Sequence, residues 1–377
     1  MKSNQLLGAF IIFTSSLVNA QGNLPTIKAS NDQVAIKAYS VRQENAWTIM
    51  PEYRPDIYET SSQSVTFYTD LDSITLKSRR DYDVQDFIIL LNKRDTAYTQ
   101  VKFMPSRLAI LKGAAVYNSD DERYVPSFTY QKNTSPDLTD LRKKLNLDSI
   151  AGKGNELSQI FNLLDWVHRT IRHDGSSNNP DVRNALGIIN VCKHENRGVN
   201  CRMMAIVLNE CYLALGIASR YVTCMPKESE FDDCHVINAV FSKELNKWIW
   251  IDPTFAAYVM DENGQLLGIE EVRQRLIDNR PLILNADANW NRENLQTKED
   301  YLENYMAKNL YRLQCPINSQ FNVETKSNGK EIAYIELLPL DGIEQTPQYE
   351  TVLNQESKVT FQFYKTNNPQ TFWAKPE

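Results

Sequence analysis

The sequence predicts an α+β protein in which a buried helix packs on an antiparallel sheet, with β-rich regions on both flanks. Three observations carry that expectation. Residues 201–215 repeat apolar side chains at helical spacing (Met204, Val207, Leu208, Cys211, Leu215). Two runs rich in β-formers, 235–241 and 247–251, are separated by the polar Ser242-Lys243-Glu244-Leu245-Asn246, the pattern of a hairpin. Short strand-like segments such as Ser64–Tyr68 and Glu331–Leu337 recur toward the two ends.

Taken in order, the chain begins with Met1-Lys2, a largely apolar run from Leu6 to Val18, and the small-residue pattern Val18-Asn19-Ala20. This predicts a signal peptide over 1–20 and an exported protein, whether periplasmic, cell-surface associated or secreted. The apolar run is short for a bilayer span, no cysteine follows the cleavage point, and no later stretch predicts a transmembrane segment. Residues 21–135 read as a β-rich accessory domain, with strands at 64–68, 73–76 and 98–104; the apolar run 86–91 fits helix or strand. The polar Gln131-Lys132-Asn133-Thr134-Ser135-Pro136 reads as a linker. Residues 136–315 then form the core domain, with helical patterns at 137–147, 156–171, 269–277 and 301–311, and 316–377 read as a β-rich extension with strands at 331–337 and 359–364.

Net charge is -6, without a basic stripe, which argues against nucleic acid as partner. All six cysteines follow residue 190. If Cys201 stays free, five remain, so at least one more thiol should be unpaired and export does not imply a disulfide framework.

The candidate chemistry lies in three short segments. Asn200 is a good N-cap, which places Cys201 at a helix start, and Gly216 is a natural stop. Unpaired amide N–H groups and the positive helix end favour thiolate over thiol there. Folding the chain about 242–246 brings His235 toward Asp252, while alternation puts Trp248, Trp250 and Asp252 on one face, with the indoles expected to wall the site. A thiolate, an imidazole and an orienting carboxylate are the parts of a thiol acyl-transfer site. The backbone N–H of Cys201 is a candidate oxyanion donor; a second donor has no signal in the sequence.

Other thiols and imidazoles have plainer readings. Cys211 reads as core. Cys234 reads as a core residue or disulfide partner, and His168 and His173, at the end of a helical pattern, as surface or capping residues. Cys192, His194, Cys201, Cys224, Cys234 and His235 cluster in sequence, yet only Cys192-Lys193-His194 approaches a zinc knuckle, with too short a spacer. Asp261-Glu262-Asn263-Gly264 lacks the spaced ligands of a calcium loop and reads as a turn. No metal and no cofactor are expected.

Gly198-Val199-Asn200-Cys201, the helix ending in Leu215-Gly216-Ile217-Ala218-Ser219-Arg220-Tyr221-Val222, the His235 strand and Trp250-Ile251-Asp252-Pro253-Thr254 together resemble the transglutaminase-like superfamily of papain-like fold. The similarity covers roughly 155–260, with the motifs in the family's order. It implies that Cys201 is the nucleophile, His235 the base and Asp252 its partner. Bacterial members are commonly proteases or amidases, so the resemblance implies a peptide, protein or cell-wall amide as substrate, hydrolysed through a Cys201 thioester. Crosslinking acyl transfer and a non-catalytic binding module are the alternatives. One departure stands out: the family follows its histidine with a small residue and an aromatic, whereas Val236 and Ile237 stand here, on what is expected to be a substrate-facing surface.

Overall fold

The computed structural model describes residues 24–38, 41–231, 233–340 and 348–376. The leader expected over 1–20 lies outside the described residues. The chain divides into two compact units, 1–105 and 106–377.

In the first unit, two four-stranded sheets share one core. One sheet runs Thr26–Ala29, Asp83–Leu91, Asp95–Phe103, Asp56–Thr60, and the other Val41–Thr48, Gln33–Ala38, Ser64–Tyr68, Ser73–Lys77. The ambiguous run 86–91 is a strand: Phe87, Ile89 and Leu91 alternate inward while Asp86 and Ile88 do not, the two-residue period of a half-buried sheet. Phe67 and Phe87, one from each sheet, meet with ring centroids 5.1 Å apart. Burying such faces from both sheets is what holds a sandwich together.

The second unit begins at Ser106, well ahead of the boundary expected at 135. Leu111 of helix Arg107–Lys112 is buried in its core, and Thr129–Tyr130 pairs in parallel with Asn318–Ser319. At its centre is a seven-stranded sheet in the order Lys247–Ile251, His235–Ser242, Ser219–Met225, Arg312–Pro316, Glu331–Leu337, Thr360–Thr366, Tyr349–Leu353. Strands beyond 316 therefore extend the same sheet as the His235 hairpin, and strand pairing gives no break at the expected 315/316 boundary. A parallel pair, Glu331–Leu337 with Thr360–Thr366, needs a crossover connection that no local turn signal announces.

Helix Cys201–Ala214 packs on this sheet, and every residue from Met203 to Ala214 is buried. It starts where Asn200 Oδ1 accepts from the Met203 N–H (3.2 Å). It stops where Gly216 adopts φ +80° and Ile217 N–H donates back to Tyr212 O, satisfying carbonyls that the helix leaves unpaired. The hairpin turn is closed by Leu245 N–H donating to Ser242 Oγ, with Asn246 in the left-handed region. Its register pairs Asn238 with Ile251 and Phe241 with Trp248, which leaves His235 and Asp252 at the same end of the hairpin.

Glu210 ties this helix to its surroundings: its carboxyl group accepts the N–H of Ala185 (2.7 Å), at the start of helix Ala185–His194, and the N–H of Asn322 (2.8 Å). Burial pushes its pKa up from 4.5 to about 8, against the opposing pull of those two N–H groups. Folded protein then holds a proton that the unfolded chain releases, so this group makes stability fall as pH rises from about 4.5 to about 8. Glu210→Ala strands the buried N–H of Ala185 and the part-buried N–H of Asn322 and is expected to cost about 2–4 kcal/mol in urea unfolding at pH 6. Glu210→Gln should flatten the alkaline decline; unchanged stability in the alanine variant would show that water satisfies both donors.

Candidate active site

Cys201 occupies the first helical position after the Asn200 cap, and Asn200 is itself oriented by its Nδ2–H donating to Asn179 Oδ1 (2.7 Å). The thiol is half-buried. Burial pushes its pKa up, but hydrogen bonds to the His173 and His235 imidazoles, with the charge on His235, bring it down to about 6. The thiols of Cys192, Cys211, Cys224, Cys234 and Cys315 are all pushed up by burial instead. Cys201 is therefore the thiol poised as a nucleophile at neutral pH.

His235 and Asp252 meet as the hairpin predicts. Nε2 of His235 lies 2.7 Å from Asp252 Oδ2, and both side chains are fully buried. A carboxylate only accepts, so Nε2 carries the proton and Nδ1 is left for the Cys201 sulfur. Burial lowers the imidazole's pKa, but the Asp252 charge, its hydrogen bond and the Cys201 sulfur outweigh it and raise the value to about 10. The thiol is lowered and the imidazole raised by the same pairing, so the coupled pair rests as thiolate and imidazolium at neutral pH.

Asp252 is held on three sides. Oδ1 accepts the Thr254 N–H (2.8 Å), Oδ2 also accepts the Tyr301 hydroxyl (2.6 Å), and the backbone exchanges both hydrogen bonds with Ala257. Trp250 Nε1–H donates to the Tyr301 oxygen (3.1 Å), which commits the tyrosine's own proton to Asp252. Four residues on, the Tyr305 hydroxyl lies 3.3 Å from His235 Nδ1. Both tyrosines sit on Glu299–Met306, a π-helical segment that puts them over the same histidine–carboxylate pair. The pattern at 301–311 was readable as helical, but its role at the site was not.

Several expectations change. His173 is neither a surface nor a capping residue: it lies beyond helix Glu156–Thr170, bridged to Val199 two residues before Cys201, and its imidazole is among the groups that lower the Cys201 thiol. His168 is buried, with Nδ1 3.0 Å from Pro253 O and Nε2 3.0 Å from Asn289 Oδ1, so it pins the segment after Asp252 to the loop before Trp290. Cys234 is a half-buried free thiol, neither core nor disulfide partner, and all six cysteines are unpaired. Cys211 is fully buried, as expected.

The indoles do not wall the site. Trp248 donates to Trp373 O and packs on Phe241, while Trp250 is fully buried beneath Tyr301. They do share one face, but that face is core. Aromatic neighbours of His235 are Phe255 and Tyr305 instead, with centroids 5.6 and 5.1 Å away. Val236 and Ile237 are likewise buried, in cores on opposite faces of the sheet, so their departure from the family pattern changes packing and not a substrate-facing surface.

Residues 143–253 match the family model of the Transglutaminase-like superfamily. They form a transglutaminase-like core. The matched segment holds Cys201, His235, Asp252 and His173, while Trp290, Tyr301 and Tyr305 lie beyond its end. No curated protein matches the sequence. Among solved structures, a chain from Cytophaga hutchinsonii described as a "Putative Cysteine Protease" is 19% identical over 54% of this chain and 59% of that chain, with a TM-score of 0.26. The similar region thus spans less than two thirds of that chain. Among the described residues no helix is long and apolar enough to cross a membrane.

Proposed function

We propose that the transglutaminase-like core is a cysteine hydrolase, a peptidase or amidase, acting on an amide outside the cytoplasm after removal of residues 1–20. Cys201 Sγ attacks the amide carbonyl; the carbon–sulfur bond forms as the carbonyl electron pair moves to oxygen. Collapse breaks the carbon–nitrogen bond, and His235 gives its Nδ1 proton to the leaving amine. Neutral His235 then takes a proton from water, whose oxygen attacks the thioester; collapse breaks the carbon–sulfur bond and releases the thiolate beside the reprotonated imidazolium, which restores the resting pair. Asp252 keeps the Nε2 proton in place throughout and offsets the imidazolium charge.

The observation that carries this reading is the convergence of the lowered Cys201 thiol on an imidazole whose other nitrogen is fixed by a buried carboxylate. An amine acceptor has less support. The indoles that would have lined an amine channel are in the core, and Asp233, next to Cys234 and His235, is held by the Lys308 ammonium (2.6 Å) and is a poor landing point for a cationic amine.

Partitioning tests the acceptor. With an activated acyl substrate and a millimolar primary amine, the acid product is expected to dominate, at a ratio that barely responds to amine concentration. Amide as the main product, rising with amine, would replace the hydrolase with an acyltransferase. Normal Cys201 alkylation without either product, across peptide and cell-wall substrates, would favour a binding module.

A further inference from the structure

The imidazole of His173 is built into the site as deliberately as that of His235. Its backbone is clamped to the strand leading into Cys201: Val199 N–H donates to Arg172 O (3.0 Å) and Asp174 N–H donates to Val199 O (2.8 Å), an isolated parallel bridge between His173 and Val199. Asn291 takes both remaining backbone groups, accepting the His173 N–H (2.7 Å) and donating to its carbonyl (3.0 Å). The approach is so close that a Cβ on Gly198 would lie 2.7 Å from Arg172 O and from Asp174 Cβ, so a larger residue there would push the two segments apart.

The ring's protonation is fixed by its neighbour. Trp290 Nε1–H donates to His173 Nδ1 across 3.0 Å. An indole N–H can only donate, so Nδ1 must present a lone pair and the ring's proton resides on Nε2. Trp290 and Asn291 come from one short turn, which His168 braces through Asn289. The bridge to Val199 sets this ring beside the start of helix Cys201–Ala214, and with Nδ1 taken by Trp290 its Nε2–H is the donor left for the Cys201 thiol, which His173 helps to lower.

We propose that His173 is a second catalytic imidazole, held by Trp290 as the neutral Nε2–H tautomer, which donates a hydrogen bond to the Cys201 sulfur at rest and to the acyl oxygen as it becomes an oxyanion. It transfers no proton. As the carbon–sulfur bond forms, charge leaves sulfur for an oxygen two bonds away, and the same N–H follows it, joined by the backbone N–H of Cys201. His235 remains the group that protonates the leaving amine.

This assignment rests on the acyl-transfer reading, but its first test does not need a substrate. The pH dependence of Cys201 alkylation by iodoacetamide, followed by peptide mapping, should show an inflection near pH 6 in the wild type. His173→Leu should move it up by about 1 unit, and His173→Gln, whose amide N–H reaches the Nε2 position, should restore most of the shift. Trp290→Phe, which frees the tautomer, should fall between. On an activated substrate, His173→Leu should lower kcat by roughly 10²–10³-fold with KM nearly unchanged.

Wild-type inflection and kcat in His173→Leu, or equal behaviour of the Leu and Gln variants, would overturn the proposal. Should His173→Leu fail to fold, ¹⁵N-histidine NMR of the wild type decides: a proton on Nε2 with Nδ1 accepting supports it, and a proton on Nδ1 refutes it. A shifted inflection without turnover on any amide would count against the hydrolase and leave the resting-state role of His173 standing.

Discussion

Cys201→Ala is expected to abolish acylation while leaving the fold intact, a loss on the order of 10⁶ in kcat. Alanine is the best helix former, and the position is the half-buried first residue of its helix, so no cavity opens in the core. What disappears is the sulfur on which His173 and His235 converge. The remaining thiols cannot substitute. Cys211 and Cys224 are fully buried, Cys234 is pushed up by burial, and neither Cys192 nor Cys315 has a lowered pKa. Circular dichroism and urea unfolding would check the fold, and residual turnover close to wild type would move the chemistry to another group.

Asp252→Asn is expected to lower kcat by roughly 10⁴-fold with substrate binding retained. The loss follows from hydrogen-bond bookkeeping at one oxygen. Oδ2 accepts from His235 Nε2 and from the Tyr301 hydroxyl at once. An amide NH₂ in that position donates to His235, which forces the imidazole proton onto Nδ1 and turns the nitrogen facing Cys201 from base into donor. If the amide flips, its NH₂ faces the Thr254 N–H instead. Either way one buried donor loses its acceptor, so a stability loss of about 1–3 kcal/mol should accompany the kinetic effect. Tyr301→Phe separates the two contributions: it removes one donor without touching the tautomer and should leave most of kcat in place. An Asp252→Asn variant with wild-type kcat would dissociate Asp252 from the chemistry.

The parts of the site that could be read from the sequence are those set by local rules. A cap residue before an apolar helix, two β-forming runs around a polar turn, and alternation to the end of the second run are enough to bring Cys201, His235 and Asp252 to one end of a hairpin and helix. His173, Trp290, Tyr301 and Tyr305 obey no such rule. His173 arrives through a parallel bridge to Val199, which leaves no periodic trace, although Gly198 records the close approach. The tyrosines arrive on a π-helical turn whose spacing over the site depends on an irregular backbone. The same reasoning explains the fold. Strands Ser64–Tyr68 and Glu331–Leu337 match their expected bounds, because alternation is local. The joining of strands on both sides of 316 into one sheet depends on long-range pairing, and so does the packing of 106–135 with the second unit. Trp248 and Trp250 share a face as alternation requires, but which face meets solvent is decided by the helix Ile269–Ile277 and the C-terminal residues packed over them.

Acyl-enzyme trapping tests the central claim most directly. The protein is mixed with an activated acyl ester at pH 7, quenched in acid within the first turnover, and mapped by peptide mass spectrometry with and without hydroxylamine. The predicted result is one acyl group on Cys201, removed by hydroxylamine as a thioester must be, and absent from Cys201→Ala. Acylation of a different residue, or turnover of the substrate with Cys201 unmodified at every quench time, would contradict it.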